Sequence, residues 1–326
     1  MPPSHVFIGG LHRTGTSLLR RTLNSSGHIA ICGETHYLGG FTTLACWLSL
    51  LRRDSPSDIR HDQRYTRWRA TPGTRQLFAR MGDISTPDGA RQVIDFVYDR
   101  TDTLDWTFWR WLPKNVVRDE FLGKFLESER NDRSLLDLLM SCYAEGKPIR
   151  GEKTPAHIHH VPTLLAWFPH AIFIHTFRDP RAIFVSEKQK QLNRGADRLR
   201  HRLLQRSRFA HELYLSFSIA VHWTRIAQLH RQYQQRYPDR YYLLKFEDLI
   251  ADPETRLREV CGVLDIDLSE NMLQQKVLNS SFLPLRGQPG FDASAIDRWR
   301  QRINLVVAGW ITRLCKTHLV EFGYPL

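Results

Sequence analysis

Four residues running straight into a pair of glycines constrain this chain more than any other feature. His5-Val6-Phe7-Ile8 reads as a short buried strand and Gly9-Gly10 as the turn that leaves it. Leu18, Leu19, Thr22 and Leu23 read as the inward stripe of the helix that follows. Strand, glycine turn and helix open an α/β fold, whose ligands bind outside the carboxyl ends of its strands. Ala171 to Phe177 is the nearly continuous apolar run that a parallel sheet covered on both faces requires, and Tyr241 to Phe246 is a third strand candidate. Helical patterns separate them: Val161 to Phe168, closed by Pro169; Ala210 to Arg236; and Pro253 to Leu264, opened by Asp252-Pro253 as N-cap and first helical residue. The stretch from about residue 40 to 150 shows no clear strand. It holds Trp47, Trp68, Trp106, Trp109 and Trp111, large aromatics expected chiefly to fill a core. The expectation is a single α/β domain over residues 1–326. It would have a P-loop-type parallel sheet flanked by helices, with a mainly helical insertion over the sheet's ligand-binding edge.

Composition narrows the partners. Lys and Arg number 46 against 34 Asp and Glu, a net charge of +12, so an anionic partner is expected. Hydrophobic residues at 42% supply a sizeable core, while the uncharged run from Phe41 to Leu51 is too short to span a bilayer. No basic segment leads into a long apolar stretch as in a signal peptide, and five scattered cysteines without a CxxC point to a reducing compartment. A cytoplasmic protein is expected. His157, His159 and His160 have i, i+2, i+3 spacing, poor for zinc without a carboxylate or cysteine partner, so no metal is expected. The basic stretch Lys188 to Arg208 sets eight cations against the single Asp197 and lacks the interleaved aromatics that stack on bases. It reads as a solvated helix or flap rimming a site for an anionic substrate, not as a nucleic-acid face.

Residues Gly10 to Ser17, Gly-Leu-His-Arg-Thr-Gly-Thr-Ser, keep the spacing of a nucleotide phosphate loop, G-x-x-x-x-G-K-[ST], but Thr16 stands at the lysine position. The cradle survives that change: glycines allow the tight turn, and backbone N–H groups still converge at a helix N-terminus. What is lost is the group that reaches the terminal phosphates of ATP or GTP. Arg13 offers a replacement cation. At the end of the second strand, Phe177-Arg178-Asp179-Pro180 turns into a helix that carries Ser186 about two turns beyond Arg178. Both can reach one anion beside the first loop; the alternative is that Arg178 pairs with Asp179 or another carboxylate.

These segments resemble the sulfotransferases that use 3′-phosphoadenosine 5′-phosphosulfate (PAPS), in particular the bacterial and Golgi-type branch with the protein-tyrosine sulfotransferases. Arg13-Thr14-Gly15-Thr16-Ser17-Leu18-Leu19 matches the family's [RK]-[ST]-G-T-[ST]-x-L loop throughout. Arg178 and Ser186 match its strand-end R-[DN]-P with a serine eight residues after the arginine. Gly151-Glu152-Lys153-Thr154-Pro155 looks like its E-K-T-P element, and Phe246-Glu247-Asp248-Leu249 like its Y-E-D-L strand end. The four stand in family order. The resemblance implies that Arg13, Thr14, Gly15, Thr16 and Ser17 hold the 5′-phosphosulfate and that Arg178 and Ser186 hold the 3′-phosphate. Phe246, a tyrosine in many relatives, would lie beside the adenine. Ser280-Ser281 with Asp297-Arg298-Trp299-Arg300 resembles the C-terminal S…RWR pattern, which implies Arg300, or its rival Arg298, near the 3′-phosphate.

Sulfuryl transfer needs positive charge at the leaving phosphate and a base for the acceptor's proton. Arg13, Lys153 and the loop amides can meet the first need without a metal. Cys32-Gly33-Glu34-Thr35-His36 follows the first helix and returns to the same sheet edge. Resemblance to the protein-tyrosine branch makes Glu34 the base, with His36 its rival because imidazole titrates near neutrality. The structural alternative for Glu34 is a salt bridge to Arg13 or Arg20. The implied reaction converts PAPS to 3′,5′-adenosine bisphosphate (PAP) and sulfates a small molecule, sugar, lipid or peptide; acceptor and oligomeric state stay open. Two competing readings are a small-molecule kinase, disfavoured by Thr16, and a basic nucleic-acid-binding protein.

Overall fold

A computed structural model describes residues 2–39, 43–52, 83–99, 107–193, 207–276, 282, 287 and 290–326. Its sheet has five parallel strands: β1 (His5–Gly10), β2 (Ile29–Cys32), β3 (Ile149–Lys153), β4 (Ala171–Phe177) and β5 (Tyr241–Lys245), in the order β2-β3-β1-β4-β5. Buried β1 lies at the centre, with Ile8 level with Lys153 on one side and Gly10 level with Thr176 on the other. Successive strand side chains point to opposite faces. Phe7, Phe173 and Phe177 enter one core with Trp109, Leu139 and Trp223, while Val6, Ile8, Ile172 and Ile174 enter a second with Leu19, Leu249 and Leu257. Both faces are therefore covered, which is why β4 reads as a continuous apolar run.

Helix α1 (Thr16–Asn24) follows the glycine loop and buries Leu19, Thr22 and Leu23. Between β2 and β3 come α2 (Thr43–Arg52), α3 (Pro87–Asp99), α4 (Thr107–Asn115), α5 (Arg118–Leu126) and α6 (Asp132–Ala144), so the insertion is helical among the described residues. Helix α7 (Val161–Trp167) leads into β4, α8 (Pro180–Asn193) leaves it, and α9 (Arg208–Arg236) runs back to β5. Then come α10 (Phe246–Ala251), α11 (Pro253–Val263), the single turns Glu270–Leu273 and Ser294–Asp297, and α12 (Leu305–Glu321), which packs on α9. Asp252 caps α11 as its sequence suggests, accepting the Thr255 N–H at 3.2 Å. Trp109 is core and Trp111 packs on Phe108 and Tyr143, whereas Trp47 is 41% exposed; Trp68, Trp106 and residues 194–206 of the basic stretch lie outside the described residues. No described helix is long and apolar enough to cross a membrane.

Candidate active site

The glycine loop is shaped by backbone conformation. Gly10 and Gly15 have φ of 149° and 92°, and Arg13 between them takes φ 69° without being glycine, a strain on the order of 1–3 kcal/mol of the kind that gathers at functional sites. A Cβ on Gly15 would fall 2.7 Å from Phe246 Cδ2, so glycine is what lets that ring lie against the loop. Thr14 turns inward. Its hydroxyl donates to Leu11 O at 2.7 Å, which leaves Thr176 Oγ1 to donate to it at 2.7 Å and ties the loop to β4. Helix α1 has no side-chain cap and no acid in its first turn, so its leading N–H groups remain for an anion.

On the β4 side, Arg178 leaves the strand end. Its Nη1 donates to Arg13 O at 3.0 Å and its Nη2 to Ala295 O at 2.9 Å, while the guanidinium carbon sits 3.9 Å over the Phe246 ring. The buried Arg178 Nε has no partner among the described residues, an orphan donor of the kind a ligand oxygen satisfies. Burial lowers its pKa to about 10, with Glu247 opposing and the charges of Arg13 and Arg298 adding to the effect. Arg13 Nε donates to Ser186 Oγ at 3.0 Å, so Arg178 and Ser186 both meet Arg13. Asp179 is not the partner of Arg178; it pairs with Arg181 at 2.6 Å, whose Nη2 also donates to Pro325 O at 2.6 Å.

Both C-terminal arginines are paired: Arg298 with Asp292, where its charge also reaches Arg178, and half-exposed Arg300 with Asp297 at 2.8 Å. Both stand on a 3₁₀ turn, Arg298–Gln301. With three residues per turn, side chains two apart leave it in different directions. Of the two, Arg298 lies within charge range of Arg178.

On the β3 side, Lys153 is the last strand residue and pairs with Glu34 Oε1; His36 Nε2 lies 3.0 Å from Glu34 Oε2. Glu34 thus pairs with neither Arg13 nor Arg20, and Arg20 Nη1 instead donates to Ile31 O at 3.2 Å. Burial alone would push the Glu34 carboxyl up. The His36 hydrogen bond and the Lys153 charge more than offset this and hold it well below the usual carboxylate range. Beneath it Glu152 is wholly buried. One oxygen accepts the Thr35 N–H at 2.9 Å, the Thr35 hydroxyl at 3.0 Å and the Thr154 hydroxyl, and His157 Nδ1 lies 2.8 Å from the other. Burial raises this carboxyl too, but His157 and these hydrogen bonds bring it below the ordinary value. Trp109 Nε1 donates to Thr35 O at 2.8 Å, so β3 and the insertion together hold the loop that carries Glu34 and His36. His36 itself has φ 51°, its N–H on Thr154 Oγ1 at 3.2 Å.

The fold therefore brings Arg13, Lys153, Glu34, His36, Arg178, Ser186 and Phe246 to one sheet edge. Sequence reasoning passed over Glu152, His157 and Trp109 as supports. Glu152 was signalled by its place in the E-K-T-P element, and Trp109 by nothing local. His12, at the loop's tip, is also within charge range of Glu34 and His36.

A parallel α/β protein with a glycine loop at its carboxyl edge, arginines on one flank and a lysine-held carboxylate on the other is the class that fold and site define. A model of the sulfotransferase family matches residues 3–270, and the chain belongs to that family. The sulfotransferase domain from the Synechococcus PCC 7002 olefin synthase superposes with a TM-score of 0.54 at 17% identity, covering 100% of this chain and 96% of that one. The sulfotransferase domain from the curacin biosynthetic pathway gives 0.51 at 16%, covering 100% and 99%. Both likenesses bear on the fold alone. No curated protein matches the sequence.

Proposed function

We propose that this protein moves a sulfuryl group from PAPS to a hydroxyl or amine acceptor by in-line displacement, with Glu34 taking the acceptor's proton. The observation that carries this reading is the contact between Lys153 and Glu34 at the sheet edge that also presents the glycine loop and Arg13. The residues fit the nucleotide: the orphan Nε of Arg178 lacks an acceptor, Phe246 offers a ring against Gly15, and the N-terminus of α1 is uncapped. When bound, PAPS supplies an activated sulfur whose leaving group is a phosphate gathering negative charge.

Arg13, Gly15, Thr16 and Ser17 hold the 5′ end, and Thr14 contributes its N–H, since its hydroxyl is engaged by Leu11 and Thr176. Arg178, Ser186 and Arg298 hold the 3′-phosphate, and Phe246 flanks the adenine. Lys153 serves two masters. As it turns toward charge on the leaving side, Glu34 loses a partner that depresses its basicity, which couples proton acceptance to charge development. Arg13, Lys153 and the loop amides supply the charge stabilisation, so turnover is expected to be independent of added magnesium.

Calorimetric titration of PAP and 5′-AMP, beside transfer of labelled sulfate to an acceptor panel, tests the reading. A charge-assisted contact to the 3′-phosphate predicts PAP binding about 10–100-fold tighter than 5′-AMP. Equal affinities, or phosphoryl transfer from ATP with no sulfuryl transfer from PAPS, would overturn it.

A further inference from the structure

The histidines that follow β3 part company in the fold. His157 turns to Glu152, whereas His159 meets Cys46 from α2 and His222 from α9. One ligand atom from each of Cys46, His159 and His222 lies within 4.8 Å of the other two, and Cys46 Sγ is 3.2 Å from His222 Nδ1. We propose that these three side chains form a Zn²⁺ site that fastens the first helix of the insertion to α9 and to the turn just beyond Lys153.

The geometry suits the ion. With Zn–S about 2.3 Å and Zn–N about 2.0 Å, a tetrahedral centre separates its ligand atoms by roughly 3.3–3.6 Å. Cys46 Sγ and His222 Nδ1, at 3.2 Å, are already near that separation, and all three atoms lie within 4.8 Å of one another. One thiolate with two imidazoles is the borderline-soft set that zinc takes, and the absence of a carboxylate from the trio argues against magnesium or calcium. The second ring nitrogen of His222 lies 3.5 Å from Thr43 Oγ1, which bonds Ser218 Oγ at 2.7 Å. Such an outer partner orients a ligating imidazole. Cys46 and His159 are buried and His222 is half-buried, and among the described residues these three ligands leave a fourth position for water. The expectation that the histidines lack a cysteine partner considered only their near neighbours in sequence; folding supplies one from residue 46.

The test uses the full chain, freed of metal by chelator dialysis and titrated with Co²⁺. One equivalent is expected to give the intense visible bands of a tetrahedral ion and a sulfur-to-cobalt charge-transfer band in the near ultraviolet, both displaced by one equivalent of Zn²⁺. Cys46→Ser removes the charge-transfer band, His222→Ala and His159→Ala each weaken binding at least tenfold, and Cys142→Ser leaves it unchanged. Should a variant fail to fold, X-ray absorption at the zinc edge of the wild-type protein decides. One sulfur at about 2.3 Å with nitrogen at about 2.0–2.1 Å supports the site. A shell of nitrogen and oxygen alone, or a wild-type protein with no charge-transfer band, overturns it, and Cys46 and His222 are then a hydrogen-bonded thiol and imidazole.

Discussion

Central strand β1 has different chemistry on its two sides. Toward β4, cations rest on neutral partners: Arg178 on two backbone carbonyls and a phenylalanine ring, Arg13 on a serine hydroxyl. Glu247, on that side, does not take up their charge through a contact; burial pushes its carboxyl up, and it accepts from the Asp179 N–H and the Tyr324 hydroxyl, both at 3.0 Å. Toward β3, the basic groups rest on carboxylates, Lys153 on Glu34 and His157 on Glu152. The difference separates two tasks. On the proposed function, the arginines toward β4 would receive an anion, with Glu247 in charge range but out of contact, and the carboxylate toward β3 would take a proton beside a cation that can leave it.

The largest expected effect falls on the β3 side. Glu34→Gln should lower turnover on the order of 10³-fold while PAP affinity stays within about threefold, because a base acts only in the chemical step. His36→Ala should cost about tenfold or less. Steady-state kinetics on both variants checks this, and the reverse ranking would give the base role to His36.

Acid should titrate the buried histidines of both sides before the carboxylates toward β3. His230, packed against β4's His175, is lowered to about 4 by burial, and His160 behind β3 to about 3, both from an ordinary value near 6.5. Between those values the unfolded chain binds protons that the folded one refuses, so stability falls as pH drops from about 6.5 toward 4. For His230 alone, at about 1.4 kcal/mol per pKa unit, the loss is about 3 kcal/mol. Glu34 and Glu152 act in the same direction but at lower pH. Their depressed values stabilise above the unfolded carboxylate range, and that contribution goes only as pH falls further, through their folded values. Denaturant midpoints from pH 7 downward should show the histidine phase first, flattened in His230→Gln.

Arg178→Ala should erase most of the preference for PAP over 5′-AMP, a loss of about 10–100-fold, with Ser186→Ala weaker in the same direction. If the preference survives in Arg178→Ala, the β4 side is not the 3′-phosphate site. The smallest contrast lies in the C-terminal turn: Arg298→Ala should weaken PAP by a few-fold, and Arg300→Ala should match wild type in the same titration, since its surface pair contributes about 0–1 kcal/mol.

The strands with a doubly buried apolar run were legible. Ala171 to Phe177 has the bounds of β4, and the first strand differs only in running on through Gly9 and Gly10. Neither β2 nor β3 could be read in that way. Ile29–Cys32 is four residues long, and Ile149–Lys153 ends in Glu-Lys because its last positions carry the site instead of the core. Phe246 was legible by motif but opens α10 instead of closing β5. The loop and strand-end motifs located Arg13, Lys153 and Arg178, since each adjoins a strand terminus. What stayed hidden depends on contacts between distant segments: Trp109 on Thr35, and the Lys153 partnership of Glu34 where Arg13 or Arg20 was the nearer candidate in sequence.

The carbonyl of Pro325 on Arg181, the Tyr324 hydroxyl on Glu247 and the carbonyl of Ala295 on Arg178 also bear on the order in which a growing chain can assemble its site. Every group named on the proton-handling side has been synthesised once His157 is in place. The arginine side waits for β5 and then for Tyr324 and Pro325. At about 5–20 residues per second, that wait is on the order of ten to thirty seconds. A ribosome-bound chain in that interval holds Arg178 and Arg181 with their distal acceptors still unmade, so the arginine side is completed well after the side that carries Glu34.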